Sequence, residues 1–259
     1  IGTWNDPIFL TMMPLVGSIA AGNCQIVKPS EHAPYTSSLI KNLFENNFDS
    51  SHIKIIEGNA KTSEKLLRYK WGHIFFTGHS KIGKKVALAA AKTLSPLTLE
   101  LGGKSPCFIG ESENLKIAAK KIAMGKFTNC GQTCVAPDYL LVDKKIYDTF
   151  LIYLKKELTN YKTLESHMPY QGKIINQPHF ERLTDLIKKS QVISGGEFEE
   201  KSLKINPTLC KVNDFSDPLM QEEIFGPILP IIQYSSIDEH LKFQKKLGSP
   251  LYLYLFTKN

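Results

Sequence analysis

HIFFTGHSKIGKKVALAAAKTLSPLTLELGG, residues 73–103, decides the fold class. His73–Thr77 is a short apolar run and reads as a buried strand. Gly78 ends it, Ser80–Thr93 is an alanine-rich helical stretch, and Leu97–Leu101 is a second apolar strand that runs into Gly102-Gly103. Parallel strands need a long crossover between them, and a helix is the usual one. The same alternation extends upstream. Asn23–Lys28 reads as a strand closed by Pro29. Ala33–Asn47 reads as a helix, with Ser30 and Glu31 in its capping region. Ile53–Glu57 is a β-branched strand and Thr62–Tyr69 a short helix. Near-continuous apolar strands alternating with helices predict a doubly wound parallel sheet, which binds ligands beyond the carboxyl ends of its strands.

Downstream the pattern continues with a strand at Pro106–Ile109 and a helix at Leu115–Phe127, whose Leu115, Ala118, Ala119, Ile122 and Ala123 share a face. Tyr139–Val142 follows as a strand. Ile146, Phe150, Leu154 and Leu158 mark one helix and Phe180, Leu183, Leu186 and Ile187 another. Ile228–Ile232 and Leu251–Phe256 read as strands around a helix at Ile237–Lys246. Pro230 predicts that the first of these two strands is an edge strand. The fold class is therefore α/β throughout. Gly102-Gly103 is the candidate boundary between two α/β domains, 1–102 and 103–259.

Composition bounds what such a chain can do. Of its 259 residues 42% are hydrophobic and 22% charged, too apolar for a disordered tail and too charged for a membrane bundle. The longest apolar stretch, Ile8 to Gly22, is interrupted by Thr11, Pro14 and Ser18 and falls short of the roughly 18–20 residues that span a bilayer. Asp6 precedes it without a basic n-region, so it makes a poor signal peptide. The five cysteines are odd in number, which favours a reducing, cytoplasmic setting over a disulfide framework. Cys130 and Cys134 have no second Cys/His pair at zinc-ligand spacing, so no metal site is expected. The net charge of +7 is almost all lysine, dispersed along helices, rather than the clustered arginine of a nucleic-acid partner.

Four segments could carry chemistry. Phe76-Thr77-Gly78-His79-Ser80, followed by Gly83-Lys84, places a glycine turn at a helix N-terminus, where free N–H groups favour a phosphate. The same turn could equally be tight and ligand-free. Its spacing nearly matches a nucleotide-hydrolase phosphate loop, but Lys85 stands where the magnesium-binding Ser or Thr belongs. Cys130-Gly131-Gln132-Thr133-Cys134 could present a thiolate nucleophile at an exposed turn or hold a buried structural thiol. Glu100, at the end of an apolar strand, is expected to be partly desolvated and suited to general base work, against a plain exposed carboxylate. Asn5 could donate to an oxyanion or shape the turn before Asp6-Pro7.

Taken in order, Thr3-Trp4-Asn5, Lys28-Pro29-Ser30-Glu31, Phe76-Thr77-Gly78, Glu100-Leu101-Gly102-Gly103-Lys104-Ser105-Pro106, Gly131-Gln132-Thr133-Cys134 and Glu223-Ile224-Phe225-Gly226-Pro227 resemble the aldehyde dehydrogenase superfamily. Cys130–Tyr139 and Met220–Glu223 resemble its class 3 and fatty aldehyde branch. The resemblance implies a Rossmann-like cofactor domain over 1–102 and a truncated catalytic domain over 103–259. It implies Cys134 as nucleophile, Asn5 with the Cys134 N–H as oxyanion donors, and Glu100 as the base that activates water on the thioester. Lys28 and Glu31 would hold the adenosine ribose of NAD or NADP. Gly78, His79 and Gly83 would form the pyrophosphate turn, and Glu223 and Phe225 would position the nicotinamide ribose and ring. Glu31 would hinder a 2′-phosphate and so lean toward NAD. The partners implied are a small aldehyde and a second subunit of a homodimer, with membrane attachment only through a C-terminal anchor outside these residues.

The sequence departs from the family in three places. His79 replaces a small polar residue and is expected to weaken cofactor affinity. Asp6 replaces an aromatic in the substrate funnel, which predicts poorer use of long-chain aldehydes. The family's N-terminal helical segment, later catalytic-domain stretch and oligomerisation arm are not among these residues, so the chain reads as a fragment. The alternatives are an inactive binding protein and a phosphate-loop hydrolase.

Overall fold

Pro14 does not stop the first helix. The computed structural model describes residues 1–111, 114–161 and 172–258, and α1 spans Phe9–Ala20 with Pro14 inside it. The chain divides into two compact units, Ile1–Leu101 and the part from Gly102 onward.

In the first unit α1 leads to β1 (Gln25–Val27), α2 (Pro34–Glu45), β2 (Ile53–Ile55), α3 (Ala60–Leu66), β3 (Ile74–Gly78), α4 (Ser80–Thr93) and β4 (Leu97–Leu101). The helix starts have local causes. Pro34 sits at the first position of α2, where its missing N–H costs nothing, and Asn59 caps α3 by accepting from the Lys61 N–H. The four strands form two parallel pairs, β1 with β2 and β3 with β4, rather than the single sheet that the alternation predicts. Ile1 and Gly2 run between the pairs. The Ile1 nitrogen donates to the Phe75 carbonyl at 2.8 Å, and the Gly2 N–H donates to the Lys28 carbonyl at 2.9 Å. Each pair has its own core, Leu15, Ile40, Phe44 and Ile53 around one and Ile74, Phe76, Val86 and Ala90 around the other.

The second unit contains β5 (Pro106–Ile109), α5 (Leu115–Phe127), β6 (Tyr139–Asp143), α6 (Tyr147–Leu158), α7 (Gln177–Lys188), β7 (Gln191–Ser194), β8 (Phe198–Glu199), β9 (Lys204–Ile205), β10 (Thr208–Lys211), β11 (Ile228–Tyr234), α8 (Ile237–Leu247) and β12 (Tyr254–Phe256). A six-stranded sheet runs in the order β12-β5-β6-β11-β10-β7. All its pairs are parallel except β10 with β7. Two apolar clusters cover it. One is built on α5 and α6, with Ile122, Phe150 and Leu154; the other includes Phe180 and Leu183 of α7.

Pro230 was expected to mark an edge strand, but β11 lies in the interior of the sheet. It pairs with β6 only from Ile231 onward, so Pro230 withholds no donor from that ladder. No described helix is long and apolar enough to cross a membrane.

Candidate active site

In the first unit β1 delivers a buried Lys28, whose ammonium pairs with the partly exposed carboxylate of Glu31 three residues on. Burial works against the charge of Glu31. The Lys28 hydrogen bond and charge outweigh it and hold the carboxyl below its ordinary value. β3 ends at Gly78, where a Cβ would lie 2.8 Å from Cζ of Phe76. His79 follows as the N-cap of α4. It is exposed, and its Nδ1 accepts from the Lys81 N–H at 3.0 Å, a role usually taken by Ser, Thr, Asp or Asn. The imidazole is thus turned onto the helix end.

Gly83 lies inside α4, one turn from its start, and a Cβ there would meet Leu101 at 2.7 Å. Its absence lets α4 lie close on β4. Because residues 80 to 84 are helical, the stretch from Gly78 to Lys84 forms no loop that could wrap a phosphate, and the phosphate-loop hydrolase is set aside.

Glu100 is the register partner of Thr77, so it lies at the same end of the β3–β4 pair as the Gly78 turn. Its side chain is exposed, where the sequence predicted a partly covered one, and it stands on a two-stranded ladder. Asn5 is half-buried, and its Oδ1 accepts from the hydroxyl of buried Thr3 at 2.8 Å. That bond assigns Oδ1 as the acceptor and leaves Nδ2 as the donating end of the amide.

In the second unit the chain leaves α5 through Asn129, Cys130 and Gly131, with φ of 51°, 55° and 69°. Three consecutive left-handed residues are costly unless the surroundings hold them. The buried Gln132 does so. Its amide donates to the carbonyls of Asn129 and Lys173, both at 3.1 Å, and its Oε1 accepts from the Ile175 N–H at 3.0 Å. Cys134 follows, half-exposed. Cys107, Cys130 and Cys210 are buried; burial pushes the Cys130 thiol up to about 11 and the Cys210 thiol up to about 12. Among the cysteines of this unit Cys134 is the one that is not buried.

Gly131 also joins this loop to the segment Glu222–Gly226, since a Cβ on it would stand 2.3 Å from the Gly226 carbonyl oxygen. That segment is gripped by charged side chains. Lys104 Nζ lies 2.5 Å from Asp138 Oδ2 and also donates to the Glu222 carbonyl at 3.1 Å. Asp138 Oδ1 accepts from the Ile224 N–H at 3.0 Å, and Arg182 donates to the Ile224 carbonyl at 2.6 Å. Held on both sides, the backbone tolerates Phe225 at φ 48°. The Glu223 carboxylate lies over Gly102, where a Cβ would come within 2.3 Å of its oxygen, and accepts from the Gly103 N–H. Burial, and then Asp138, push the Glu223 carboxyl up to about 7 against the opposing effects of Gly103, Lys126 and Lys104.

The sequence pattern of the aldehyde dehydrogenase family matches residues 1–259, the whole chain. The chain belongs to the aldehyde dehydrogenase family. Its relatives include the dimeric NADP-preferring aldehyde dehydrogenase of Mus musculus, 44% identical over 260 residues, which is 100% of this chain and 57% of that protein. Aldehyde dehydrogenase family 3 member A2 of Mus musculus is 42% identical over 261 residues, 100% of this chain and 54% of that protein. Among solved structures, the substrate-bound state of the Staphylococcus aureus enzyme AldH superposes with a TM-score of 0.93 at 42% identity, covering 99% of this chain and 57% of that one. The chain thus spans little more than half the length of these relatives, and it resembles class 3 members of the family.

In this aldehyde dehydrogenase chain the two units each gather part of the expected set. Lys28 and Glu31 meet in the first, and Gly78, His79 and Glu100 share one end of β3 and β4. The second gathers the Cys134 loop with Glu223 and Phe225 through the Gly131–Gly226 contact. The sequence reading missed the residues beneath them: Gln132 as a staple, and Lys104, Lys126, Asp138 and Arg182 as a charged bed. Lys126 could have been noticed, because it falls four residues after Ile122 on the apolar stripe of α5.

Proposed function

We propose that the whole protein oxidises an aldehyde to a carboxylate with NAD or NADP. The observation that carries this reading is the presentation of Cys134, the half-exposed cysteine at the end of a stapled left-handed turn, in a chain matched throughout by this family. The Cys134 thiol gives its proton to solvent and its sulfur bonds to the aldehyde carbon, whose carbonyl oxygen becomes an oxyanion that Asn5 Nδ2 and the Cys134 N–H stabilise. NAD or NADP supplies the acceptor for the hydride that leaves this carbon, and a thioester remains on Cys134. Glu100, exposed to solvent, takes a proton from the water that attacks the thioester. The carbon–sulfur bond breaks, the carboxylate departs and the Cys134 thiol is restored.

The residues present fit a dinucleotide. The first turn of α4 carries no acidic residue, and Lys81, Lys84 and Lys85 make its start cationic, which suits a pyrophosphate at the Gly78 turn. His79 and Gly83 serve that site by ending and seating α4. Lys28 and Glu31 would hold the adenosine ribose, and Glu31 opposes a 2′-phosphate while Lys28 offsets part of its charge. Glu223 would accept from the nicotinamide ribose hydroxyls, with Phe225 beside the ring. This assigns cofactor work to 1–102 and catalytic work to 103–259. The dimeric relative supports a homodimer for the whole protein.

The test is a chemical quench of the whole enzyme mixed with cofactor and an aldehyde, followed by mass analysis of the Cys134 peptide. An acyl adduct that disappears in Cys134→Ala is expected. No adduct, with cofactor still bound, would favour the inactive binding protein.

A further inference from the structure

Lys126 lies in the last turn of α5 and has no accessible surface, and among the described residues its Nζ has no hydrogen-bond partner. A buried ammonium without a hydrogen bond is costly, and packing alone would be served better by an apolar side chain of similar length. Its charge is felt by four groups, Asp138, Lys104, Glu223 and Arg182. Lys104 and Asp138 are committed to each other and to the backbone of Glu222 and Ile224, and Arg182 is committed to Ile224. Glu223 is left as the group in this set whose charge can still change.

We propose that Lys126 is a positioning residue, whose buried charge keeps the Glu223 carboxylate ionised as the acceptor for the cofactor's nicotinamide ribose. This rests on the cofactor role of Glu223 proposed above. Burial first, and then the flanking Lys104 and Arg182, bring the Lys126 ammonium down to about 8 against the pull of Asp138 and Glu223. Burial and Asp138 bring Glu223 up to about 7. The acid and the base have moved toward each other, so the two protons titrate as a coupled pair close to neutrality. With the proton on Lys126 the carboxylate is free to accept.

The test is NAD binding by calorimetry to the whole enzyme from pH 5.5 to 9.5, with Cys134→Ala in every protein so that no chemistry intervenes. Binding to the otherwise unaltered protein is expected to tighten as pH rises through about 7. With Lys126→Met the inflection moves up by about one pH unit, which weakens binding about threefold at pH 7.5 and leaves it nearly unchanged at pH 9. With Glu223→Gln the inflection vanishes. An unshifted inflection in Lys126→Met overturns the proposal, and so does an equal loss at every pH, which a purely structural lysine would produce. If Glu223→Gln binds NAD with the original pH profile, the cofactor role of Glu223 is what fails. Should Lys126→Met not fold, a carboxyl carbon-13 titration of Glu223 replaces it. A midpoint near 7 with a second step near 8 is expected, and an ordinary carboxylate midpoint without the second step overturns the inference.

Discussion

Replacing Gly131 by alanine separates backbone geometry from side-chain chemistry at the Cys134 loop. The new Cβ would stand 2.3 Å from the Gly226 carbonyl oxygen and 3.0 Å from that of Lys126, and both are backbone atoms that cannot rotate away. Overpacking of this kind costs about 1–3 kcal/mol. The residue sits at φ 69°, where a Cβ adds about 1–2 kcal/mol. Together Gly131→Ala destabilises by about 2–5 kcal/mol, and at about 2–4 °C per kcal/mol the midpoint of thermal unfolding falls by about 4–20 °C. Scanning calorimetry on the whole protein, with reversibility checked, reads this directly. A fall of less than about 2 °C would mean that the Gly131–Gly226 contact is not tight, and the link between the Cys134 loop and the Glu223 segment would be lost with it.

Gly102→Ala is expected to behave in the opposite way, because its 2.3 Å neighbour is the movable end of Glu223: thermal stability changes little, while NAD affinity in calorimetry falls. Gln132→Ala leaves the half-buried Ile175 N–H and two carbonyls without this side chain and should cost about 1–3 kcal/mol in urea unfolding, with loss of the Cys134 adduct. Glu223→Gln should stabilise the protein at pH 8 but not at pH 4. The folded carboxyl titrates at about 7 against 4.5 unfolded, so the folded state holds the extra proton between these values and stability falls as pH rises through that window; urea midpoints across pH measure it. His79→Ala should cost about 0.5–2 kcal/mol by removing the α4 cap, and His79→Ser should restore it; equal unfolding midpoints for the two variants would refute the capping role.

The elements legible in sequence are those whose signal is local. Ser80–Thr93, Leu97–Leu101, Pro106–Ile109 and Leu115–Phe127 occur with the bounds that periodicity and glycine or proline punctuation give. α1 carries no clear helical signal in sequence, because Pro14 interrupts it and exposed Ile8, Phe9, Met13 and Val16 leave no clear polar face. The short strands β7 to β10 carry two to four residues each, too few to show alternation. The split of the first unit into two strand pairs was likewise invisible, since pairing partners are set by contacts far apart in the chain. At the site, Cys134 and Glu223 were marked by their motifs. What supports them was not, because the Lys104–Asp138 pair spans 34 residues and the Asp138–Ile224 bond spans 86.

Those long-range bonds explain why so much charge is buried in the second unit. Buried ion pairs rarely stabilise a fold relative to an apolar core, so stability alone does not account for Lys104, Asp138 and Lys126. Their effect is geometric. Ile224 is held by its N–H on Asp138 and by its carbonyl on Arg182, and its neighbour Phe225 is left-handed, a conformation that an aromatic residue adopts only when both sides are fixed. Once Phe225 turns this way, Gly226 reaches Gly131, and the loop bearing Cys134 is seated against the segment bearing Glu223. An apolar bed could pack as densely, but it could not hydrogen-bond the two peptide groups that flank Ile224. The charged bed and the strained backbone above it are therefore one device, and the position of Cys134 relative to Glu223 is what it sets.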